Sequence, residues 1–305
     1  MSKKSDASLK RWSLIRNYIL NPTKLSAKPC DYLYSANIFG LFEVIQVIES
    51  PSAVTWRLTP QVAPGSCKYL TLAIPKTPIE VQSRVEDLVG FDRTGIAVIL
   101  WPCELLLAYF FMLPPGRIQN VLQLPVPCKR VIELAAGGLG IGGIALASVF
   151  PDLNYIALTD GNEKCVQNLE NVIKEGNYIF HSKLESALLR WSNDIEKEPS
   201  IPKDHNDWRN SFDLVFTADC FFNQSHGGLL RCIDFLLSKN SGSTFLAFAP
   251  LRSNTLKSFV ESASSEEVCE RFQWSLKFLR PEEVFPELSG DEEKMVPHMV
   301  YIQRC

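Results

Sequence analysis

From about residue 100 onward, short apolar segments alternate with longer segments of helical character, and this alternation constrains the fold more than any other feature. Such a pattern is typical of a parallel sheet with crossover helices, which predicts a doubly wound α/β fold. The predicted strands are 130–134, 155–159, 212–217 and 244–249, followed by a final pair at 273–278 and 299–303. The predicted helices are 104–113, 139–149, 162–175, 228–237 and 255–269.

The first 90 residues have a different character. Segments 37–49 and 53–58 are rich in Phe, Val and Ile around a Glu-Ser-Pro-Ser break, which predicts a hairpin. Residues 69–74 predict a third strand, which ends before Pro75 and Pro78. We therefore expect two parts: a basic helix with a small β-containing region over residues 1–90, and the main domain over residues 91–305.

Residues 1–30 are strongly basic. Leu9, Trp12, Ile15 and Ile19 have helical apolar spacing, which predicts a basic amphipathic helix. Its apolar face could pack on the domain, as amphipathic faces usually do, or the helix could dock an acidic partner. The basic side chains are Lys3, Lys4, Lys10, Arg11, Arg16, Lys24 and Lys28, against the single acid Asp6.

Composition excludes several classes of protein. A net charge of -3 over 305 residues disfavours wholesale nucleic-acid binding. The nine cysteines contain no CxxC pair and lie mostly in apolar segments, as Cys165, Cys220 and Cys232 do, so reduced thiols are favoured over disulfides or a metal site.

No apolar run reaches the ~18 residues of a bilayer span, and no secretory signal is evident. We expect a monomer without metal, in the cytoplasm and also the nucleus.

A small-residue turn follows the strand that contains Glu133. Ala135, Ala136 and Gly137 would let a ligand approach the backbone closely, although such turns also serve packing alone. The literal GxGxxG that begins at Gly138 is displaced from the strand end. Glu133 would repel a pyrophosphate, whereas it could pair with the ammonium of a methionine moiety, so a nicotinamide dehydrogenase is disfavoured.

The next two strands also end in acidic residues. Asp160 lies 27 residues after Glu133, where a carboxylate can accept hydrogen bonds from ribose hydroxyls. Alternatively, Asp160 or Asn162 could cap the following helix. Asp219 follows the strand that ends near Ala218, and ligands of open α/β sheets bind outside the carboxyl ends of strands.

Aromatic residues accompany these carboxylates. Phe221 or Phe222 could hold a cationic amine that Asp219 orients, while core packing is the alternative for Phe221. Trp101 and Trp191 could stack on adenine, although a single tryptophan is more often part of the core.

Taken together, these runs resemble the seven-β-strand class I lysine methyltransferase family over about residues 90–260. The runs are 99–102 with Glu104, 133–134, 158–164, 189–191, 212–213 and 218–222. Runs 159–164, 218–220 and 248–250, with Arg252, Asn254 and Thr255, are most similar to the branch of that family that methylates calmodulin. Arg11 and Trp12 before an apolar helix are similar too.

The resemblance implies a Rossmann-like seven-stranded sheet and S-adenosylmethionine as the cofactor. It also implies catalytic roles for Asp219 and Phe222, which match the family's acidic-x-x-aromatic motif and would orient the substrate lysine. The implied cofactor-binding residues are Trp101, Glu133, Ala135, Gly137, Asp160, Asn162, Trp191 and Ala218. Among them, Glu133 and Gly137 would line the methionine end, Asp160 the ribose, Trp191 the adenine and Ala218 the edge of the cofactor.

The sequence departs from the family at two places. Members usually carry glycine where Ala135 stands, and the segment after about residue 265 matches poorly. The implied partner is calmodulin or another acidic protein. A different protein lysine, a small-molecule acceptor, and a weakly catalytic cofactor-binding interaction protein remain alternatives.

Overall fold

The computed structural model describes residues 33, 36, 37, 39–61, 68–76, 100–121, 128–176, 178, 180–221, 225–251, 254–288 and 297–305. The predicted basic helix within residues 1–30 lies outside the described residues, as does Phe222. None of the helices in these ranges is long and apolar enough to cross a bilayer.

Three antiparallel strands form a small sheet in the order β1-β2-β3. They are β1 (Phe42–Glu49), β2 (Ala53–Pro60) and β3 (Leu70–Pro75). The predicted hairpin and third strand are therefore confirmed. Leu58 and Leu72 on the inner face are fully buried in the same apolar cluster as the helices of the main domain. The hydroxyl of Tyr178 accepts a hydrogen bond from the backbone N–H of Ala73 at 3.1 Å, which ties the small sheet to the rest of the chain.

A seven-stranded sheet forms the main part of the structure. Its strands are β4 (Arg130–Leu134), β5 (Tyr155–Asp160), β6 (Lys183–Leu188), β7 (Leu214–Ala218), β8 (Thr244–Ala249), β9 (Trp274–Leu279) and β10 (His298–Arg304). Their order is β6-β5-β4-β7-β8-β10-β9, with β10 antiparallel to both of its neighbours and the first five strands parallel. The predicted Rossmann-like seven-stranded sheet is confirmed.

Helices cover both faces of this sheet. They are α1 (Pro102–Met112), α2 (Pro115–Val121), α3 (Ile141–Val149), α4 (Glu163–Gly176), α5 (Gly227–Leu236), α6 (Thr255–Ala263), α7 (Glu266–Phe272) and α8 (Pro281–Val284). Alternating residues of each strand enter different clusters: Phe248 packs on the side of α1 and α3, whereas Phe245 packs on the side of α5 and α6. Burial on both faces explains why these strands are almost continuously apolar.

The single helix predicted over residues 255–269 is wrong, because the structure has two helices there. The side chain of Ser265 accepts a hydrogen bond from the backbone N–H of Val268 at 3.4 Å. This serine is the N-cap of α7, so a new helix begins within the predicted one.

Candidate active site

The carboxyl ends of three neighbouring parallel strands bring acidic residues to one edge of the sheet. Glu133 lies near the end of β4, Asp160 ends β5 and Asp219 follows β7. Strand β4 is paired with β5 on one side and with β7 on the other. The structure therefore brings together the three carboxylates that the sequence predicted for this edge.

The turn after β4 contains three residues in the left-handed backbone region, Ala135, Gly137 and Gly140. Gly137 has φ +62°, which glycine adopts without strain. Ala135 has φ +50°, a conformation that is sterically unfavourable for alanine. The backbone N–H of Ala136 donates to the carbonyl of Thr159 at 2.8 Å, which fixes the turn against β5.

The Asp160 carboxylate is 6% exposed and accepts hydrogen bonds from the backbone. Oδ2 accepts from the N–H of Gly137 at 3.1 Å, and Oδ1 accepts from the N–H of Asn162 at 2.9 Å. Burial raises the pKa of Asp160 to about 6, although these hydrogen bonds act in the opposite direction. Its predicted ribose contact stays a prediction.

The side chain of Asn162 stabilises the start of α4. Its Oδ1 accepts from the N–H of Lys164 at 2.8 Å, two residues further along the chain. This hydrogen bond is the capping alternative that the sequence left open. A contact of Asn162 with the cofactor stays a prediction.

Glu133 is 1% exposed, and its carboxylate lies against the first turn of α3. Oε2 accepts a hydrogen bond from the backbone N–H of Gly143 at 2.8 Å. Burial nevertheless raises the pKa of Glu133 to about 8. A charged Glu133 is therefore costly unless a cation approaches it.

A second buried glutamate, Glu104 in the first turn of α1, adjoins this site and was given no role from the sequence. It is 5% exposed. Burial raises its pKa well above the ordinary value, the charge of Glu133 raises it further, and a hydrogen bond from the backbone of Trp101 partly offsets both effects. The sequence signals for Glu104 were its membership of the first run that resembles the family and its place three residues after Trp101, where a helix N-terminus favours a carboxylate.

These carboxylates fit a cationic ligand. Within the described ranges, no ion pair involves Glu104, Glu133 or Asp160. An ammonium group beside Glu133 and Glu104 would compensate for their burial. The residues present therefore suit the methionine end of S-adenosylmethionine.

Two glycines of the literal GxGxxG, Gly140 and Gly143, serve packing. A Cβ atom on Gly140 would lie 2.6 Å from a methyl carbon of Leu158, and one on Gly143 would lie 2.2 Å from the other methyl. Both glycines thus allow α3 to pack closely on β5. This role needs no bound phosphate.

The loop after β7 begins with Asp219 in the left-handed region, at φ +57°. Its backbone N–H donates to the carbonyl of Phe248 at 2.8 Å, which places it at the junction of β7 and β8. Phe221 is 4% exposed and packs on Phe259 with 4.5 Å between ring centroids, so the core alternative is confirmed for Phe221. Phe222 lies outside the described residues.

His226 was not predicted as a site residue. Its Nε2 lies 2.9 Å from the carbonyl oxygen of Thr255, so this nitrogen carries the proton and donates it. The bond joins the loop after β7 to the start of α6, which follows β8. Burial lowers the pKa of His226, partly offset by the bond to Thr255, and favours the neutral ring. The only sequence feature that could have pointed to His226 was its place before two glycines.

The two tryptophans flank this edge from different elements. Trp101 is the partly buried N-cap of α1 and precedes Pro102. Trp191 is partly buried and follows β6, where it packs on the α5–α6 side of the sheet, as Ala135 does. The adenine contact stays a prediction for both. In the described part of the chain, no group of His, Cys, Asp and Glu has the arrangement of a metal site.

Comparisons with known proteins give one family match and several similar solved structures. A family model described as lysine methyltransferase matches residues 87–266, which is more than half of the chain. Similar solved structures include the CurJ carbon methyltransferase, with 16% identity, coverage of 60% of this chain and 50% of that chain, and a TM-score of 0.39. This chain thus spans half the length of CurJ.

Two further similar structures come from microorganisms. A methyltransferase from Pyrococcus furiosus has 16% identity, coverage of 62% of this chain and 82% of that chain, and a TM-score of 0.38. A putative caffeoyl-CoA O-methyltransferase from Staphylococcus aureus has 12% identity, coverage of 73% of this chain and 93% of that chain, and a TM-score of 0.40.

Proposed function

The chain belongs to the lysine methyltransferase family, and we propose that it transfers the methyl group of S-adenosylmethionine to a lysine side chain of calmodulin. One observation supports this proposal most strongly. Glu133, Asp160 and Asp219 lie at the ends of three adjacent strands within the matched segment. Two of them suit the cofactor, and the third suits the amine that receives the methyl group.

The cofactor-binding half of the proposal assigns each residue a contact. Glu133, with Glu104 beside it, would pair with the ammonium, and Asp160 would accept hydrogen bonds from the ribose. Gly137 and Ala135 form the turn along the methionine end, and Ala218 borders the cofactor. Trp191 and Trp101 would flank the adenine.

The catalytic half rests on positioning. When bound, S-adenosylmethionine supplies a sulfonium methyl group that a neutral amine can accept directly. Asp219 would accept a hydrogen bond from the lysine amine. This bond would direct the lone pair of the amine nitrogen toward the methyl group. Phe222 would form the wall of the channel and exclude water. No covalent bond to the enzyme is required.

The choice of calmodulin rests on charge. The seven basic residues before position 31 would complement an acidic substrate and speed the encounter. Because salt screens such attraction, KM for calmodulin should rise with ionic strength, while the affinity for the cofactor changes little. An ionic-strength series of initial rates measures both.

The deciding experiment uses labelled S-adenosylmethionine and unmethylated calmodulin. Asp219→Asn is the sharpest variant, since asparagine tolerates the left-handed backbone at φ +57° whereas alanine adds strain. Asp152→Asn, on the exposed surface, makes the same chemical change away from the site. We expect label on calmodulin with the wild type and Asp152→Asn, and a loss of about 100-fold with Asp219→Asn.

Full activity of Asp219→Asn would contradict the catalytic assignment. Methyl transfer to another lysate protein, with none to calmodulin, would indicate that the acceptor is a lysine of a different protein.

Ala135 favours a second candidate function, a weakly catalytic cofactor-binding interaction protein, because its methyl group narrows the turn where the family usually has glycine. Cofactor binding without transfer to any lysate protein would support that candidate.

A further inference from the structure

The outer face of the small sheet is unusually apolar for a surface. Within the described residues, four of the six exposed large apolar side chains belong to this part of the chain. They are Ile45, Val47, Ile48 and Tyr69, with exposed fractions of 45%, 41%, 61% and 46%. A cluster of exposed apolar side chains on one face marks an interaction surface more often than isolated ones do.

The strand register explains why these side chains lie together. Ile45 is opposite Arg57 and Ile48 is opposite Thr55, whereas Gln46 is opposite Trp56 of the inner face. The register shifts between Gln46 and Ile48, so Val47 is an extra residue in β1. This bulge returns Ile48 to the outer face that Ile45 occupies.

A cation lies in the middle of this face. The guanidinium of Arg57 stacks over the ring of Tyr69 at 4.5 Å from the centroid. Its Nε is buried and makes no hydrogen bond, and no carboxylate in the described ranges pairs with it. A partly desolvated guanidinium of this kind favours a carboxylate from outside the chain.

The acidic residues of β1 do not satisfy this cation. Glu49 pairs with Lys76 at 2.6 Å. Glu43 is opposite Thr59, on the far side of Ile45 from Ile48. The inner face of the sheet is fixed in the core, so the outer face presents these groups on a rigid support.

We propose that Ile45, Ile48, Arg57 and Tyr69 form a docking surface for an acidic protein segment, which covers the isoleucines with apolar side chains and places a carboxylate on Arg57. The choice of an acidic partner rests on the proposed function, which this surface extends beyond the methyl-transfer site. Docking here would hold the substrate protein on the enzyme during methyl transfer.

The test measures the binding of the full chain to unmethylated calmodulin as the acidic probe, by titration at low salt. Arg57→Glu and Ile48→Ser should each weaken binding about tenfold, since both remove a central contact. Lys203→Glu is the matched control: it makes the same charge change at an exposed position of the main domain and should leave binding unchanged. Cofactor affinity and the thermal midpoint verify that each variant is folded.

Unchanged binding by Arg57→Glu and Ile48→Ser would overturn the inference, and so would the absence of any binding by the wild type. If Arg57→Glu fails to fold, Ile48→Ser and Ile45→Ser decide in the same way. A loss of binding in these variants, with no methyl transfer by the wild type, would support the docking surface and contradict the proposed function.

Discussion

The carboxylate of Asp160 accepts a hydrogen bond from the backbone N–H of Gly137 at 3.1 Å, so the end of β5 holds the turn that follows β4. The other carboxylate oxygen accepts from Asn162 at the start of α4. One side chain thus connects the turn after β4 to the start of α4, so a substitution of Asp160 should disturb both loops.

Asp160→Asn should weaken cofactor binding at least tenfold. An amide has only one acceptor oxygen, so either Gly137 or Asn162 loses its hydrogen-bond partner, at a cost of about 1–3 kcal/mol. Isothermal titration with S-adenosylmethionine at pH 7.5 measures the effect. If this variant bound S-adenosylmethionine with wild-type affinity, Asp160 would have no role in cofactor binding.

The stability of the protein without cofactor should fall as pH rises from about 4.5 to 8. Burial raises the pKa of Glu133 to about 8, whereas the unfolded chain ionises near 4.3. Between these values the folded state binds the proton that the unfolded state has lost, so the free energy of unfolding falls by up to about 1.4 kcal/mol per pH unit.

Urea unfolding at pH 5, 6.5 and 8 checks this dependence. Glu133→Gln should reduce the slope, because the amide does not titrate. Some slope should remain, since the raised pKa values of Glu104 and Asp160 act in the same direction. An identical slope in wild type and variant would contradict the assignment of this effect to Glu133.

Two neighbouring alanines should respond oppositely to glycine. Ala135 is at φ +50°, so Ala135→Gly relieves a left-handed strain of about 1–2 kcal/mol, minus about 0.5–1 kcal/mol of added chain entropy. The variant should be as stable as the wild type or up to about 1.5 kcal/mol more stable, with tighter cofactor binding. Ala136→Gly, without positive φ, should be destabilised. If both variants lost the same free energy of unfolding, the backbone strain at Ala135 would be small.

The start of α5 should not tolerate a side chain at Gly228. A Cβ atom there would lie 1.7 Å from the carbonyl oxygen of Ser192, the residue after Trp191. Gly228→Ala should therefore lower the free energy of unfolding by about 1–3 kcal/mol and change the fluorescence of Trp191. Gly116→Ala is the control, since its Cβ would meet nothing within 4 Å. Similar stability of the two variants would contradict the close approach.

Much of the fold could be predicted from short-range pattern. Strand β4 has the predicted bounds, because a strand buried on both faces is an apolar run with turn residues beyond it. Strand β6 was not predicted, since it lies at the sheet edge and its Lys-Leu-Glu-Ser-Ala-Leu sequence is only partly buried. The break at Ser265 was also missed, because a serine within an apolar periodic segment is as compatible with a continuous helix as with a cap.

The sequence by itself determined that Glu133, Asp160 and Asp219 would share one edge, because parallel strands end on the same side of a sheet. Only the tertiary structure decided which groups surround them. Glu104 adjoins Glu133, His226 joins Thr255, and the bulge at Val47 returns Ile48 to the face of Ile45. These relationships depend on how separate elements pack and on strand register, and such contacts leave no periodic signal in the chain.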